Sequence, residues 1–185
     1  MKVLGIESTA HTLGIGIVDE DEVYANTKDM FEPDEGGIHP RKAAEHHYQH
    51  ALELINNAQQ KADLDLEDID AVAFSQGPGL PQCLDIGAVM ARSLSKKHDI
   101  PLIGVNHCLA HISIGVRTTG ASDPTTLYLS GGNSQILDLR KSRYRIIGET
   151  QDIALGNSLD KFARKLGYPH PGGPEIENLA EDTDE

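Results

Sequence analysis

The first thirty or so residues alternate apolar and polar side chains with the two-residue period of β-strands. Val3–Glu7 is short and apolar, Leu13–Val18 alternates Leu, Ile, Ile and Val, and Val23–Thr27 forms a third stretch. The polar segment Ser8–Thr12 and the acidic segment Asp19–Glu22 separate them. Short apolar runs bounded by polar turns are typical of strands. The pattern therefore predicts a three-stranded meander.

Helical and strand patterns alternate beyond this meander. Apolar positions recur on one helical face across Arg41–Ala62, and Pro40 suits a first helical turn, where its missing N–H is not needed. The elements predicted next are the strand Asp70–Ser75, the helix Cys83–His98, the strand Pro101–Val105 and the short helix His107–Gly115. The predicted order is βββαβαβα.

The meander pattern recurs in the second half of the chain. Its predicted strands are Thr125–Leu129, Gln135–Leu139 and Tyr144–Thr150, and helices are predicted at Ile153–Leu166 and Pro174–Ala180. A repeated unit of this kind indicates a duplicated domain. We expect an α/β protein of the actin-like ATPase (ASKHA, ribonuclease H-like) architecture. A complete first domain is expected over 1–120, and the start of an incomplete second domain over 121–185. A shortened chain and a split gene would both produce that arrangement.

Composition limits the partners. The chain carries 16 Lys and Arg against 29 Asp and Glu, a net charge of −13, with acidic segments at 19–22, 32–35, 65–70 and 181–185. Such a charge repels nucleic acid, so if the protein acts on RNA, the basic surface is expected mostly from partner chains. The two cysteines cannot form a disulfide framework, and no stretch resembles a membrane span or a secretory leader. We expect a reduced, cytoplasmic protein that does not enter membranes.

The turn between the first two strands of each meander is a candidate for phosphate binding. These turns are Ser8–Thr12 and Ser130–Ser134, and in the second one Gly131 and Gly132 let the backbone approach an anion closely. In the actin-like architecture nucleotide lies between two such turns. Taken alone, the second turn is better interpreted as a hairpin without a ligand, as most Gly-Gly turns are.

Two histidines four residues apart, His107 and His111, share one helical face directly after a predicted strand. Both imidazoles can therefore reach one metal ion. Two ligands are too few for a site, and Tyr128 is the best candidate for a third. The pair lacks the glutamate that follows the first histidine in zinc proteases, so no general base for proteolysis is present. Two helix histidines that bind no metal are the alternative.

A second histidine cluster lies in the long helix. His46 and His50 share a face, while His47 points inward. We interpret this helix as buried on one side and used for partner contact, rather than as a metal site.

Near the end of the chain, Asp160 lies one helical turn before Arg164, and a surface ion pair between them is the simplest interpretation. The segment GGPEIE at 172–177 is a glycine-bounded turn into a helix. Such a helix start can bind an anion or a ribose hydroxyl, although helix capping explains it equally well.

Several segments together resemble one family. They are GIESTAHTLGIGI, GGIHPRKAAEHH, SQGPGL, PLIGVNHCLAHI, LYLSGGNSQ, GETQDIALGNSLDKFARKLG and PHPGGPEIE, and they cover nearly the whole chain. The family is that of the universal tRNA threonylcarbamoyladenosine transferases, in particular the archaeal and eukaryotic form that works in the KEOPS complex.

The resemblance implies transfer of threonylcarbamoyl from its AMP anhydride to the exocyclic amine of the adenosine beside the tRNA anticodon. It implies one iron or zinc ion held by His107, His111 and Tyr128, and an ATP- or AMP-type nucleotide. No covalent nucleophile or other catalytic residue is assigned. The nucleotide or substrate contacts that it implies are Tyr128, Leu129, Ser130, Gly131, Gly132, Asp160, Gly173 and Glu177.

Partners also follow from the resemblance. They are the kinase subunit and the small dimerising subunit of KEOPS, tRNAs that read ANN codons, and a C-terminal half chain if the gene is split. The family continues past 185, with a metal-binding aspartate and an adenosine-contacting asparagine, so the chain alone is expected to be inactive. Pro81 stands where the family usually has glycine, which is expected to stiffen that loop.

Two other functions are compatible with the fold. One is a non-catalytic scaffold subunit of the same complex, although a scaffold has no need of His107 and His111. The other is a sugar-kinase-like phosphotransferase, which would need an aspartate in the first meander, where this chain has Glu7.

Overall fold

The computed structural model describes residues 1–33, 37–141 and 143–181. Its strands are β1 (Val3–Glu7), β2 (Thr12–Val18), β3 (Val23–Met30), β4 (Ala71–Gly77), β5 (Leu102–Asn106), β6 (Thr126–Leu129), β7 (Ser134–Arg140) and β8 (Arg143–Glu149). Its helices are α1 (Pro40–Ala62), α2 (Pro81–His98), α3 (His107–Thr119), α4 (Leu155–Lys165) and α5 (Gly172–Glu181). Parts of the predicted acidic segments, at 34–35 and 182–185, lie outside the described residues.

The predicted order of strands and helices is confirmed, while most predicted bounds differ by one to four residues. Helix α2 begins at Pro81 rather than Cys83, because a proline fits the first helical turn. The expected stiffening by Pro81 therefore acts on a helix start. Helix α3 continues past Gly115 to Thr119, because one glycine costs a helix only about 1 kcal/mol.

The chain divides into two units, and the main division falls between Ala110 and His111, inside α3. The first unit contains β1 to β5 with α1 and α2, and the second contains β6 to β8 with α4 and α5. The domain ranges 1–120 and 121–185 remain predictions. Among the described residues, the helices all fall short of the length and hydropathy that a membrane crossing requires.

The first unit is a five-stranded mixed sheet in the order β3-β2-β1-β4-β5. The three strands of the meander are antiparallel, and β4 and β5 run parallel to β1. Alternate residues of β2 face the core, so Leu13, Ile15 and Ile17 are buried. Leu54 of α1 and Ala91 of α2 pack on that same core. Burying each large apolar side chain contributes about 1.5–3 kcal/mol, which fixes the register of the meander.

The second unit repeats the meander as the antiparallel order β6-β7-β8. Its strands are less buried than those of the first unit, and Tyr128 and Leu137 are its only buried strand side chains among the described residues. Helices α4 and α5 follow and pack against each other, with Ala163 of α4 fully buried.

Candidate functional site

Three polar side chains meet at one edge of the first sheet. Because β1, β4 and β5 are parallel, their carboxyl ends lie at the same edge, which is where open α/β sheets place ligands. Glu7 is the last residue of β1, Ser75 lies near the end of β4, and His107 follows β5 directly. The topology therefore brings a carboxylate, a hydroxyl and an imidazole together.

The carboxylate of Glu7 is the centre of this group. Its Oε2 lies 3.1 Å from Nδ1 of His107 and also accepts a hydrogen bond from the Ser75 hydroxyl. Its Oε1 accepts hydrogen bonds from the Thr9 backbone N–H, at 2.7 Å, and from the Thr9 hydroxyl. Burial by itself would raise the pKa of Glu7, but the hydrogen bonds from His107, Ser75 and Thr9 outweigh burial and lower the pKa to about 2. Glu7 is therefore a carboxylate at neutral pH.

The contact with Glu7 decides which nitrogen of His107 carries the donated proton. An ionised carboxylate only accepts hydrogen bonds, so Nδ1–H of His107 is the donor to Oε2. In a singly protonated ring the acceptor nitrogen is then Nε2. Metal-ligating histidines are commonly held in this way by a carboxylate on their other nitrogen. The arrangement of His107 fits a metal ligand.

The turn that carries Thr9 is fixed by the loop after β4. Leu80 N–H donates to the Thr9 carbonyl at 2.7 Å, and a Cβ placed on Gly79 would lie 2.5 Å from that oxygen. Gly77, at the start of the loop, has a φ of +144°, which side chains rarely adopt. The glycines of GPGL therefore allow the backbone to approach the turn closely, and the turn in turn holds Glu7.

In the second unit, His111 and Tyr128 lie side by side. Their ring centroids are 5.8 Å apart, and both line a cleft of about 390 Å³. Tyr128 is 7% exposed, whereas the neighbouring Leu129 is 46% exposed. The predicted third ligand is therefore a neighbour of the second histidine, which brings a phenol oxygen and an imidazole to one cleft.

The glycine turn of the second meander is attached to the start of α4. Ala154 precedes that helix and has no side chain that can cap it. The turn supplies the missing acceptors: Leu155 N–H donates to Ser134 Oγ at 2.8 Å, and Gly156 N–H donates to the Ser130 carbonyl at 3.2 Å. A Cβ on Gly156 would lie 2.6 Å from that carbonyl. Turn and helix start thus form one structural element.

Asp160 does not pair with Arg164 as the helical spacing suggested. Its Oδ1 accepts a 2.8 Å hydrogen bond from Gly172 N–H, and its Oδ2 lies 3.4 Å from Nδ1 of His170. No ion pair joins Asp160 to Arg164 within the described ranges. Asp160 faces α5 because Gly172 packs so closely on α4 that a Cβ there would collide with Ala163. That correction places Asp160 beside the predicted contact Gly173.

Two other predicted contacts have little around them. Gly173 has no atom within 4 Å of the position where a Cβ would be, and Glu177 is exposed on α5. Gly131 and Gly132 are likewise exposed, and no described residue accepts a hydrogen bond from their backbone N–H groups. The structure thus connects the turn with α4 and Asp160 with α5, but it leaves Glu177 apart.

The sequence interpretation overlooked Glu7, Thr9 and Ser75 at the sheet edge. Glu7 was considered only as a poor substitute for a kinase aspartate. The signal that points to it is positional: it is an acidic residue at the last position of an apolar strand, and the His pair directly follows another strand of the same sheet. Parallel pairing of β1, β4 and β5 is needed to turn that signal into a contact.

A family model described as tRNA N6-adenosine threonylcarbamoyltransferase matches residues 21–185. The chain is 53% identical over 180 residues to the tRNA N6-adenosine threonylcarbamoyltransferase of Thermococcus gammatolerans, covering 97% of this chain and 55% of that protein. It is 53% identical over 184 residues to a probable bifunctional tRNA threonylcarbamoyladenosine biosynthesis protein of Methanosarcina acetivorans, covering 98% of this chain and 34% of that protein. The chain therefore spans about half, or less, of the length of these curated relatives.

A solved structure is similar as well. The ethanolamine utilization protein EutJ from Carboxydothermus hydrogenoformans matches with a TM-score of 0.58 at 16% identity, over 98% of this chain and 62% of that one. At this identity the likeness concerns the fold alone. The predicted α/β actin-like fold is confirmed.

Proposed function

The chain belongs to the tRNA N6-adenosine threonylcarbamoyltransferase family, and on that premise we propose that it is part of the catalytic subunit of KEOPS. The reaction is transfer of threonylcarbamoyl from threonylcarbamoyl-AMP to the exocyclic amine of the tRNA adenosine beside the anticodon. The observation that carries the proposal is the 3.1 Å contact between Glu7 Oε2 and Nδ1 of His107.

His107, His111 and Tyr128 are the proposed ligands of one iron or zinc ion. The donor set fits, because a carboxylate holds His107 through Nδ1, as is common for metal-ligating histidines, and Tyr128 lines the same cleft as His111. Both histidines belong to α3, one helical turn apart. When bound, such an ion supplies Lewis-acid stabilisation of negative charge on substrate oxygens.

The proposed nucleotide contacts are Tyr128, Leu129, Ser130, Gly131, Gly132, Asp160, Gly173 and Glu177, for an ATP- or AMP-type ligand. The turn at 130–134 supports this role, because its two exposed glycines have backbone N–H groups that no described residue uses. Backbone N–H groups in a tight turn bind phosphate oxygens well. The hydrogen bonds to α4 hold the turn rigid, so little ordering is needed when a ligand binds.

The transfer itself is an acyl substitution. The adenosine amine nitrogen attacks the carbamoyl carbon and forms the new C–N bond, the C–O bond to the phosphate breaks, and AMP leaves with that electron pair. The amine proton passes to solvent. Glu7 is a poor proton acceptor, because hydrogen bonds keep its pKa at about 2 despite burial. Its role is to position His107, while N–H groups of the glycine turn stabilise charge on the phosphate.

The hydrogen bonds that hold His107 through Glu7 favour a catalytic subunit over a scaffold. The Glu7 carboxylate receives hydrogen bonds from Thr9 and Ser75 as well as His107, so it is held in place and in turn fixes the orientation of the His107 ring. A scaffold needs no fixed imidazole tautomer.

The proposed partners are the other KEOPS subunits, namely the kinase and the small dimerising subunit, and tRNAs that read ANN codons. Because the chain carries a net charge of −13, the tRNA-binding surface is assigned mostly to those partner chains. The name of the Methanosarcina acetivorans relative describes a bifunctional protein, which is compatible with a second activity linked to the transferase. The proposed location is the cytoplasm.

The proposal is tested by assaying transfer from labelled threonylcarbamoyl-AMP to tRNA, using the protein purified with its partner subunits and with the C-terminal half that supplies the remaining ligands. His107→Ala is expected to lower turnover by about 100-fold or more, because it removes a direct metal ligand rather than an outer one. His39→Ala is the matched control, since His39 is exposed and makes no side-chain cap. Undiminished turnover of His107→Ala would reject the proposal.

A further inference from the structure

A second group of possible metal ligands lies in the first unit, between α1 and the edge strand β3. Ala25, Thr27 and Asp29 alternate toward the face of β3 that α1 covers. His46 and His50 are one turn apart on α1, with their rings stacked at a centroid distance of 4.4 Å. A carboxylate from the sheet therefore meets two imidazoles from the helix.

The contact distances suit a shared cation. Nε2 of His46 lies 3.2 Å from Asp29 Oδ1, and Nδ1 of His50 lies 2.9 Å from Asp29 Oδ2. One ligand atom from each of the three residues lies within 4.8 Å of the others. Ligand atoms about 2.0–2.1 Å from a tetrahedral zinc ion are themselves about 3.3 Å apart, so both histidine–carboxylate contacts are already close to the spacing of coordinated ligands.

His47 has a separate, structural role. It is fully buried and Nε2–H donates to the Ala10 carbonyl at 2.9 Å, as expected for the inward-pointing member of the three histidines. That hydrogen bond anchors the first half of α1 and thereby fixes where His46 and His50 stand. The pair is thus held in place by the core and not by the cation.

We propose that Asp29, His46 and His50 form a second binding site for a divalent transition metal ion of the zinc class. Two imidazole nitrogens and one carboxylate oxygen are a donor set that suits zinc, and water completes the tetrahedron because the site is open. The exposed fractions of the side chains, 17% for His46, 35% for Asp29 and 37% for His50, allow an ion to enter.

The ion joins α1 to the edge of the sheet. Strand β3 pairs only with β2 among the described strands, so its outer edge has no strand partner there. A metal ion that bridges Asp29 and the two histidines of α1 would stabilise the position of that edge strand against the helix. This site is distinct from the one proposed at His107 and does not depend on the transferase function.

The test is zinc stoichiometry of the untagged protein by equilibrium dialysis with Zn²⁺ alone. Wild type is expected to bind two equivalents, and His50→Ala and Asp29→Asn are each expected to bind one. His39→Ala, another histidine replaced near the start of α1, is the control and is expected to keep both. Both variants are expected to fold, because Asp29→Asn is nearly isosteric and alanine favours helix. Thermal unfolding without metal checks this.

The His107→Ala variant separates this site from the proposed transferase site. It too is expected to lose one equivalent, and the double variant with His50→Ala is expected to lose both. If His50→Ala and Asp29→Asn both keep the wild-type number of equivalents, the second site does not exist. That result would leave the proposed function unaffected, which depends only on the loss seen with His107→Ala.

Discussion

The two meanders have the same strand rhythm, but their first turns are used differently. In the first unit, Ser8 and Thr9 are 1% and 5% exposed, and the turn is packed under the GPGL loop. In the second unit, Gly131 and Gly132 are exposed. The buried turn helps to hold Glu7 and, through it, His107, whereas the open turn belongs to the proposed nucleotide contacts. One repeated structure thus provides a support in one copy and a proposed binding surface in the other.

The largest effect is expected at Glu7, which the buried turn of the first unit holds in place. Glu7→Gln removes the charge that orients His107 and is expected to lower metal affinity by about 10- to 100-fold, the usual cost of losing an outer-shell partner. Zinc affinity of the His50→Ala background, in which the other proposed site is removed, is the measurement. Glu45→Gln, at an exposed position of α1, is the control. Unaltered affinity in Glu7→Gln would separate Glu7 from the metal site.

The packing of the buried turn is tested by Gly79→Ala. The new Cβ would lie 2.5 Å from the Thr9 carbonyl oxygen and 2.9 Å from its Cα, and backbone atoms cannot move aside as a side chain does. We expect the free energy of unfolding to fall by about 1–3 kcal/mol. Urea unfolding followed by circular dichroism measures the change. A variant as stable as wild type would show that the loop does not fix the turn.

The open turn is tested by two glycines that differ in their surroundings. In Gly156→Ala the Cβ meets the Ser130 carbonyl at 2.6 Å, so we expect a loss of about 1–2 kcal/mol after the gain in helix propensity is subtracted. Gly132→Ala has nothing within 4 Å and is expected to change stability by less than about 0.5 kcal/mol. Urea unfolding of both variants measures the two changes in the free energy of unfolding. Equal losses would mean that the turn is packed on both sides.

The smallest effect is expected at the second turn of the first meander. The Tyr24 hydroxyl donates to Asp19 Oδ2 at 2.7 Å, and that bond raises the pKa of Tyr24 to about 12 and lowers that of Asp19 to about 2. The stabilisation of the folded state by the raised pKa of Tyr24 is complete below pH 10 and is lost as the pH rises through 12. The stabilisation by the lowered pKa of Asp19 is complete above pH 3.8 and is lost as the pH falls toward 2. Asp19→Asn should return the Tyr24 titration, measured by NMR, toward pH 10.

Sequence periodicity was sufficient for the elements but not for their contacts. Alternation at Leu13, Ile15 and Ile17 predicted β2, and the repeat predicted the second meander, because both are local patterns. Helical spacing pairs Asp160 with Arg164, but the structure pairs it with the backbone of Gly172. Helical spacing cannot predict that Gly172 lets α5 approach α4 closely. The packing around Gly172 is a tertiary feature without a local signal.

The same limit applies to the two histidine clusters. The His46 and His50 pair was interpreted as a helix face because its third group, Asp29, lies on a strand far away in sequence. Glu7 is likewise separated from His107 by four further strands of the chain, β2 to β5. Spacing along one helix identifies which imidazoles share a face, but only the sheet order identifies which carboxylate faces them.

The central claim is that Nδ1–H of His107 donates to Glu7 and that Nε2 is the proposed metal-binding nitrogen. Long-range ¹H–¹⁵N NMR of the histidine rings tests it directly, with His107→Ala to assign the signals. We predict a His107 ring protonated at Nδ1, whose Nε2 resonance shifts toward the coordinated range when zinc is added. A ring protonated at Nε2, or one that zinc leaves unchanged, would contradict the account.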